Sequence, residues 1–191
     1  KSSIAIEHYE KAVALFTELG ETQGIIVASN NIGLIYKDRK EYDKALQYFY
    51  KDAELCKKIN DPEDHVLALS YIGQVYLLKQ KSDSAKKYFD KGFELSTARK
   101  LKEWIAYSYD NYASIDQARK HTEKAIANYQ HALQLYYETD DKLNIATVLQ
   151  KMSNVYAQDK NYTKAIDYSL QALEVAEQNK LISSTFDILP V

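Results

Sequence analysis

Residues 31–36 read Asn31-Ile-Gly-Leu-Ile-Tyr36, and residues 71–76 read Tyr71-Ile-Gly-Gln-Val-Tyr76. The two stretches share an isoleucine, a glycine and a closing tyrosine at a separation of 40 residues. The same interval runs through the rest of the chain. Alanine stands at 5, 45, 85, 125 and 165, and an aromatic follows four places on at Tyr9, Phe49, Phe89 and Tyr129. Ser169 breaks that column, with Tyr168 beside it. Small residues recur at Gly33, Gly73, Ala113 and Ser153, each preceded by Ile32, Ile72, Tyr112 or Met152. Two places further on come Ile35, Val75, Ile115 and Val155, then Tyr36, Tyr76, Asp116 and Tyr156. A fixed period without insertion or deletion is the mark of one structural unit copied and stacked.

Within each period the apolar spacings of 3, 4 and 7 define two amphipathic helices, one carrying the small residue and the other the alanine. A small side chain where two antiparallel helices cross lets them approach closely, so Gly33 and Gly73 serve packing. Five glycines and two prolines in 191 residues are too few for a β-sandwich or barrel, whose turns recur about every 8 to 12 residues. Breaks are expected at Gly20 and Gly24, at Asn60-Asp61-Pro62 and at Thr139-Asp140-Asp141. Asp61 is placed to cap a helix that has Pro62 in its first position, where a missing N–H costs little. Ser82, Thr122 and Asn161 are the expected caps of the alanine-bearing helices.

These residues carry a resemblance to the tetratricopeptide repeat, whose signature joins Leu-Gly, Tyr, Ala and Phe at set spacings. Leu69, Ile72, Gly73, Tyr76, Ala85 and Phe89 match it closely, and Ser29, Ile32, Gly33, Tyr36, Ala45 and Phe49 differ at the leading position. The set Tyr109, Tyr112, Ala113, Asp116, Ala125, Tyr129 and Ala132 departs at the tyrosine. The set Leu149, Met152, Ser153, Tyr156, Ala165 and Ala172 departs at the phenylalanine. The closing proline of the signature is absent, and the period is 40 against about 34 in the common form. Extended repeats of this kind resemble those of bacterial regulators, among them peptide-pheromone sensors and the sensor segments of kinases and transcription factors. The resemblance implies an all-α fold, a right-handed α-solenoid of antiparallel helix hairpins forming the tetratricopeptide superhelix. The expected organisation is one array over 1–191: a second-type helix at 1–19, repeats at 22–60, 62–100, 102–140 and 142–179, and the start of a further helix at 181–191. Both ends interrupt a repeat, so the chain reads as a piece of something longer.

The resemblance also implies that the first helix of each hairpin lines a concave groove that holds a protein or peptide segment. Carried onto this chain, its groove positions are Asn30, Asn31, Leu34 and Lys37; Leu67, Ser70, Tyr71 and Gln74; Tyr107, Asp110, Asn111 and Ser114; and Gln150, Lys151, Asn154 and Gln158. Amides predominate. Each presents a donor and an acceptor, which suits the backbone of an extended peptide whatever its sequence; the alternative is an ordinarily solvated helix face. With Lys37 and Lys151 as its cations, the set lacks a dense basic clamp for a free carboxylate. Tyr71 and Tyr107 are the tyrosines expected in the groove, whereas Tyr36, Tyr42, Tyr48, Tyr76, Tyr88, Tyr156, Tyr162 and Tyr168 sit at packing spacings.

No catalytic constellation accompanies this pattern, so the reading is of a protein that is not an enzyme and uses no cofactor or metal. His8, His65, His121 and His131 fall at unrelated positions without the i, i+4 spacing of a helical metal site. There is no glycine-rich phosphate loop or nucleophile elbow. Cys56 reads as a small, partly buried residue, and a single cysteine forms no internal disulfide, which fits a reducing compartment. Asp116 replaces a packing tyrosine and is expected to leave a gap or polar notch, with a ligand site as the alternative. Twenty-five basic against 27 acidic residues give no field favouring nucleic acid or an anionic membrane, and no apolar run approaches the roughly 20 residues of a membrane span. The expected setting is cytoplasmic, with an extracytoplasmic sensor segment as the alternative. Self-association through the terminal helices is the alternative to ligand binding in the groove.

Overall fold

Helices of 17 or 18 residues follow one another at 20-residue intervals. The structure, a computed structural model, describes residues 2–181. Among them are α1 (Ser2–Leu19), α2 (Thr22–Asp38), α3 (Tyr42–Ile59), α4 (Pro62–Leu78), α5 (Ser82–Ala98), α6 (Lys102–Ala118), α7 (Thr122–Glu138), α8 (Lys142–Gln158) and α9 (Tyr162–Gln178). No strand occurs among the described residues. The further helix expected from 181 lies, from 182 onward, outside them.

Each helix stops in the same way. The residues at 20, 40, 60, 80, 100, 120, 140, 160 and 180 all have positive φ, between 54° and 72°. The amide after each turns back to the carbonyl five residues earlier, as in Glu41 N to Tyr36 O at 2.9 Å and His121 N to Asp116 O at 2.8 Å. This closure satisfies carbonyls that the last turn would otherwise leave bare. Helix starts are less uniform. Asp61 accepts from Asp64 N, Asp141 from Asn144 N and Asn161 from Lys164 N. Ser82 and Thr122 are already the first helical residues, behind Lys81 and His121, which make no side-chain cap bond. The expected caps there are therefore one residue out of register. Gly24 likewise does not break the chain. It lies inside α2, where a Cβ would stand 2.6 Å from the Phe16 ring, so its bareness admits that ring.

The helices divide into two compact units, Lys1–Trp104 and Ile105–Val191. In the first, α1 packs on α2, α2 on α3, α3 on α4 and α4 on α5. Its core holds Ala45, Leu46, Phe49, Ala53, Ala68, Ile72 and Val75, with Tyr36, Tyr71, Tyr76 and Tyr88 against it. In the second, α7 packs on α8 and α8 on α9. There Ala106, Ala113, Tyr129, Tyr136, Leu149, Met152 and Ala172 are central to the core.

The small-residue column is set by what it faces. A Cβ on Gly33 would lie 2.6 Å from Phe49 Cε1, and one on Gly73 would collide with Phe89 still more severely. In the last hairpin Ser153 takes this place and Ser169 that of the aromatic. Ser153 Oγ donates to Ala165 O at 2.7 Å, and the two serine hydroxyls are 2.8 Å apart. The broken aromatic column is thus a paired exchange. A second paired column joins helices of the same hairpin: Tyr36 stacks on Tyr48, Tyr76 on Tyr88 and Tyr156 on Tyr168, with ring centroids 5.8, 5.6 and 5.5 Å apart. Asp116 is the exception and has Asn128 opposite, whose Nδ2 donates to Asp116 Oδ2 at 2.9 Å, while His121 Nδ1 stands 3.6 Å from Asp116 Oδ1. The expected notch is therefore occupied by a polar cluster.

Candidate functional site

The positions carried over from the sequence separate into accessible and buried groups, described unit by unit. In the first unit, α2 brings Asn30, Asn31, Leu34 and Lys37 forward, all half-buried. Asn31 Nδ2 donates to Val27 O at 2.8 Å, whereas Asn30 Oδ1 is buried without a partner. From α4, Leu67, Tyr71 and Gln74 are half-buried and Ser70 is buried, 2% exposed. The Tyr71 ring is held between two neighbours. Phe49 stacks on it with centroids 5.1 Å apart, and Lys37 Nζ lies 5.5 Å from its centre. Burial, and then the Asp64 carboxylate, push the Tyr71 hydroxyl above its usual range. Gln23 of α2 donates to Asp64 of α4, tying the two first-type helices together.

In the second unit Tyr107 and Ser114 are half-buried, but Asp110 and Asn111 are 5% and 4% exposed. Both are thus largely enclosed by the helix packing. Lys151 reaches Asp110 with Nζ 2.8 and 2.6 Å from the two carboxylate oxygens, and Ser114 Oγ donates to the Asp110 carbonyl at 3.1 Å. Lys151 is therefore the counter-ion of a buried carboxylate. Gln150 Nε2 donates to Asn154 Oδ1 and Gln117 Nε2 to Gln158 Oε1, each at 3.3 Å. Asn154 and Gln158 are exposed.

Elsewhere in the first unit a cleft of about 530 Å³ runs among α3, α4 and α5, with Tyr50, Lys57, His65, Leu69, Tyr88 and Lys91 in its lining. Tyr50 Oη lies 2.9 Å from both Tyr76 Oη and Tyr88 Oη. Burial and these hydrogen bonds raise the Tyr50 hydroxyl well above its ordinary value. His65 is shifted down, by burial first and then by Lys57. The other histidines lie apart: His131 is against the Tyr109 ring at 5.1 Å, and His121 is beside Asp116. Among the described residues no three His, Cys, Asp or Glu side chains are placed to hold a metal ion.

Asp52 was not singled out by the sequence reading. It is fully buried on α3, neither carboxylate oxygen has a hydrogen-bond partner, and burial pushes its pKa up to about 8. Cys56, one turn on, is fully buried as well, and burial together with nearby carboxylates pushes its thiol up to about 12. A repeat-column comparison carries the signal for Asp52. The equivalent places hold Gly92, Ala132 and Ala172.

A family model described as Tetratricopeptide repeat matches residues 24–98 and 104–178. No curated protein matches the chain in sequence. Among solved structures it is similar to BtubC (BKLC) from P. vanneervenii, with a TM-score of 0.79 at 16% identity, covering 98% of this chain and 77% of that one. It is also similar to aspartyl phosphate phosphatase F from Bacillus subtilis, with a TM-score of 0.68 at 20% identity, covering 100% of this chain and 48% of that one. A third is the Signal Transduction ATPase with Numerous Domains protein with a tetratricopeptide repeat sensor from Pyrococcus horikoshii. There the TM-score is 0.60 at 19% identity, with 97% of this chain and 31% of that chain covered. The chain thus spans about half or less of two of these three proteins. At these identities the likeness is one of fold.

Proposed function

The chain belongs to the tetratricopeptide repeat family, and on that premise we propose that it is a non-catalytic scaffold that holds a protein or peptide segment against its first-type helices. The reading extends to a role as the interaction or sensing part of a larger cytoplasmic bacterial regulator. The observation that carries it is the state of the accessible amides. Asn31 bonds within its own helix, Gln150 bonds Asn154 one turn away, and Gln117 bonds Gln158. Such bonds at a wet surface exchange readily for those of a peptide backbone. Lys37 and Tyr71 add a cationic and aromatic contact beside them. The tetratricopeptide repeat sensor of the Pyrococcus protein supports the sensing part of the reading.

A capture experiment tests it. The chain and an Asn31→Ala/Asn154→Ala variant are used as baits, and any captured protein is then purified and titrated against both by calorimetry. Weaker binding to the variant, with helicity and melting unchanged, is the expected outcome. Equal affinity for both would remove the ligand from these faces. Asn111 is unsuited to this test because it is buried.

A specific observation also favours a second reading, self-association. On α9, Tyr162, Ile166 and Leu170 are 62%, 61% and 60% exposed. The counterparts of Ile166 in α3 and α7, Leu46 and Ile126, are each 7% exposed. If this face pairs with another copy, sedimentation will show concentration-dependent association that Ile166→Glu abolishes; a monomer at all concentrations would refute the pairing.

A further inference from the structure

Among the described residues, the α2–α3 hairpin buries a carboxylate, a serine hydroxyl and an amide oxygen that have no hydrogen-bond partner. Asp52 is 0% exposed with both oxygens unpartnered, where the other hairpins place Gly92, Ala132 and Ala172. Ser29 is 1% exposed with its hydroxyl unpartnered, where the others place Leu69, Tyr109 and Leu149. Asn30 Oδ1 is buried and unpartnered, whereas the corresponding Asp110 has Lys151 and Gln150 has Asn154. A buried polar group without a partner favours any state that returns it to water, and an ionised carboxylate does so most strongly.

We propose that this hairpin is a proton-controlled latch: with Asp52 protonated α2 and α3 stay closed, and loss of that proton opens them and uncovers Cys56. The charged groups acting on Asp52 oppose one another, and burial outweighs both. From its own helix, Lys51 lies at the exposed surface and Cys56 is a neutral thiol; from α4, Asp64 adds negative charge and is itself raised by burial and by Asp61. The titratable side chains of α2 are Tyr36, Lys37 and Asp38, at its far end from the Gln23 that bonds Asp64. Lys51 lowers the Asp52 value and Asp64 raises it, while neither carboxylate oxygen has a hydrogen-bond partner.

The sign follows from the proton count. In the closed hairpin Asp52 titrates at about 8, and in an open one near the ordinary 3.8. Between these values the open state has lost a proton that the closed state keeps. Opening therefore gains about tenfold per pH unit, is insensitive to pH below the lower value and levels off above the upper one.

Cys56 is the only cysteine in the chain and is fully buried, so its reaction with a disulfide reagent reports opening. The labelling rate is measured from pH 5.5 to 7.5 and divided at each pH by that of the urea-unfolded chain, which removes the thiol's own ionisation. Amide hydrogen exchange of α2–α3 and α4–α5 is followed in parallel, normalised to intrinsic rates. The expected result is a rise in opening of about 100-fold across this range for the native chain, confined to α2–α3, and a flat profile for Asp52→Asn. Should that variant fail to fold, Ser29→Leu/Asp52→Ala, which copies the Leu149 and Ala172 pair of the last hairpin, is measured instead and is also expected to be flat. A variant that keeps the native slope, a native profile without slope, or α4–α5 opening with the same slope would each overturn the latch.

Discussion

Gly33 and Gly92 make opposite predictions for the same substitution. At Gly33 an added Cβ meets Phe49 at 2.6, 3.0 and 3.0 Å through Cε1, Cδ1 and Cζ. That ring is fully buried and cannot swing aside, because Tyr71 stacks on it at 5.1 Å. Overpacking of this kind costs about 3 kcal/mol at the upper end of its range, and the better helix propensity of alanine returns about 1 kcal/mol. Gly33→Ala should therefore destabilise by about 2 kcal/mol. At Gly92 the nearest atom to an added Cβ is Val66 Cγ1 at 3.6 Å, an ordinary contact. There the propensity gain of about 1 kcal/mol stands alone, and Gly92→Ala should stabilise by that amount. For a chain of this size these differences correspond to shifts of about 6 °C downward and about 3 °C upward in Tm, read by circular dichroism and checked by urea unfolding. Phe49→Leu in the Gly33→Ala background should recover part of the loss. Shifts of the same sign at the two glycines would refute the claim that the facing ring, rather than helix propensity, decides the small-residue column.

Three further outcomes are expected. Lys151→Ala strips the counter-ion from buried Asp110 and should cost about 3 kcal/mol in urea unfolding, while Asn154→Ala stays within about 0.5 kcal/mol; equal effects would contradict the assignment of Lys151 to the packing. Asp61→Ala removes the acceptor for Asp64 N, 3.1 Å away, and should lower stability by about 1 kcal/mol, with fraying at the start of α4 visible by hydrogen exchange. Asp116→Tyr or Asn128→Tyr alone should destabilise the third hairpin, whereas the pair together should recover about 1 kcal/mol through a stacked couple like Tyr156 and Tyr168; additive losses would show that the two positions do not form one contact.

The interval of 40, its two amphipathic stripes and the small residues at 33, 73, 113 and 153 determined the helical hairpins, because these features are local or fall between neighbouring helices in a constant register. The Asp61–Pro62 helix start was equally legible, since a cap and its N–H lie within one turn. The turns themselves were only partly so. Gly20, Asn60 and Asp140 announce a left-handed residue, but Lys40, Lys100, Lys120, Lys160 and Lys180 adopt the same conformation, held there by the backbone bonds that close each helix. What each side chain touches across helices was settled by the tertiary structure. Asp110 and Asn111 sit at positions that solvate a lone helix, yet both are buried, and Asp110 meets Lys151, 41 residues on. Asp52 looks like one more charge on an amphipathic surface until the tertiary packing buries it. Periodicity states which face of a helix is apolar; burial and pairing depend on the second surface brought against it, and that surface exists only once the hairpins have stacked.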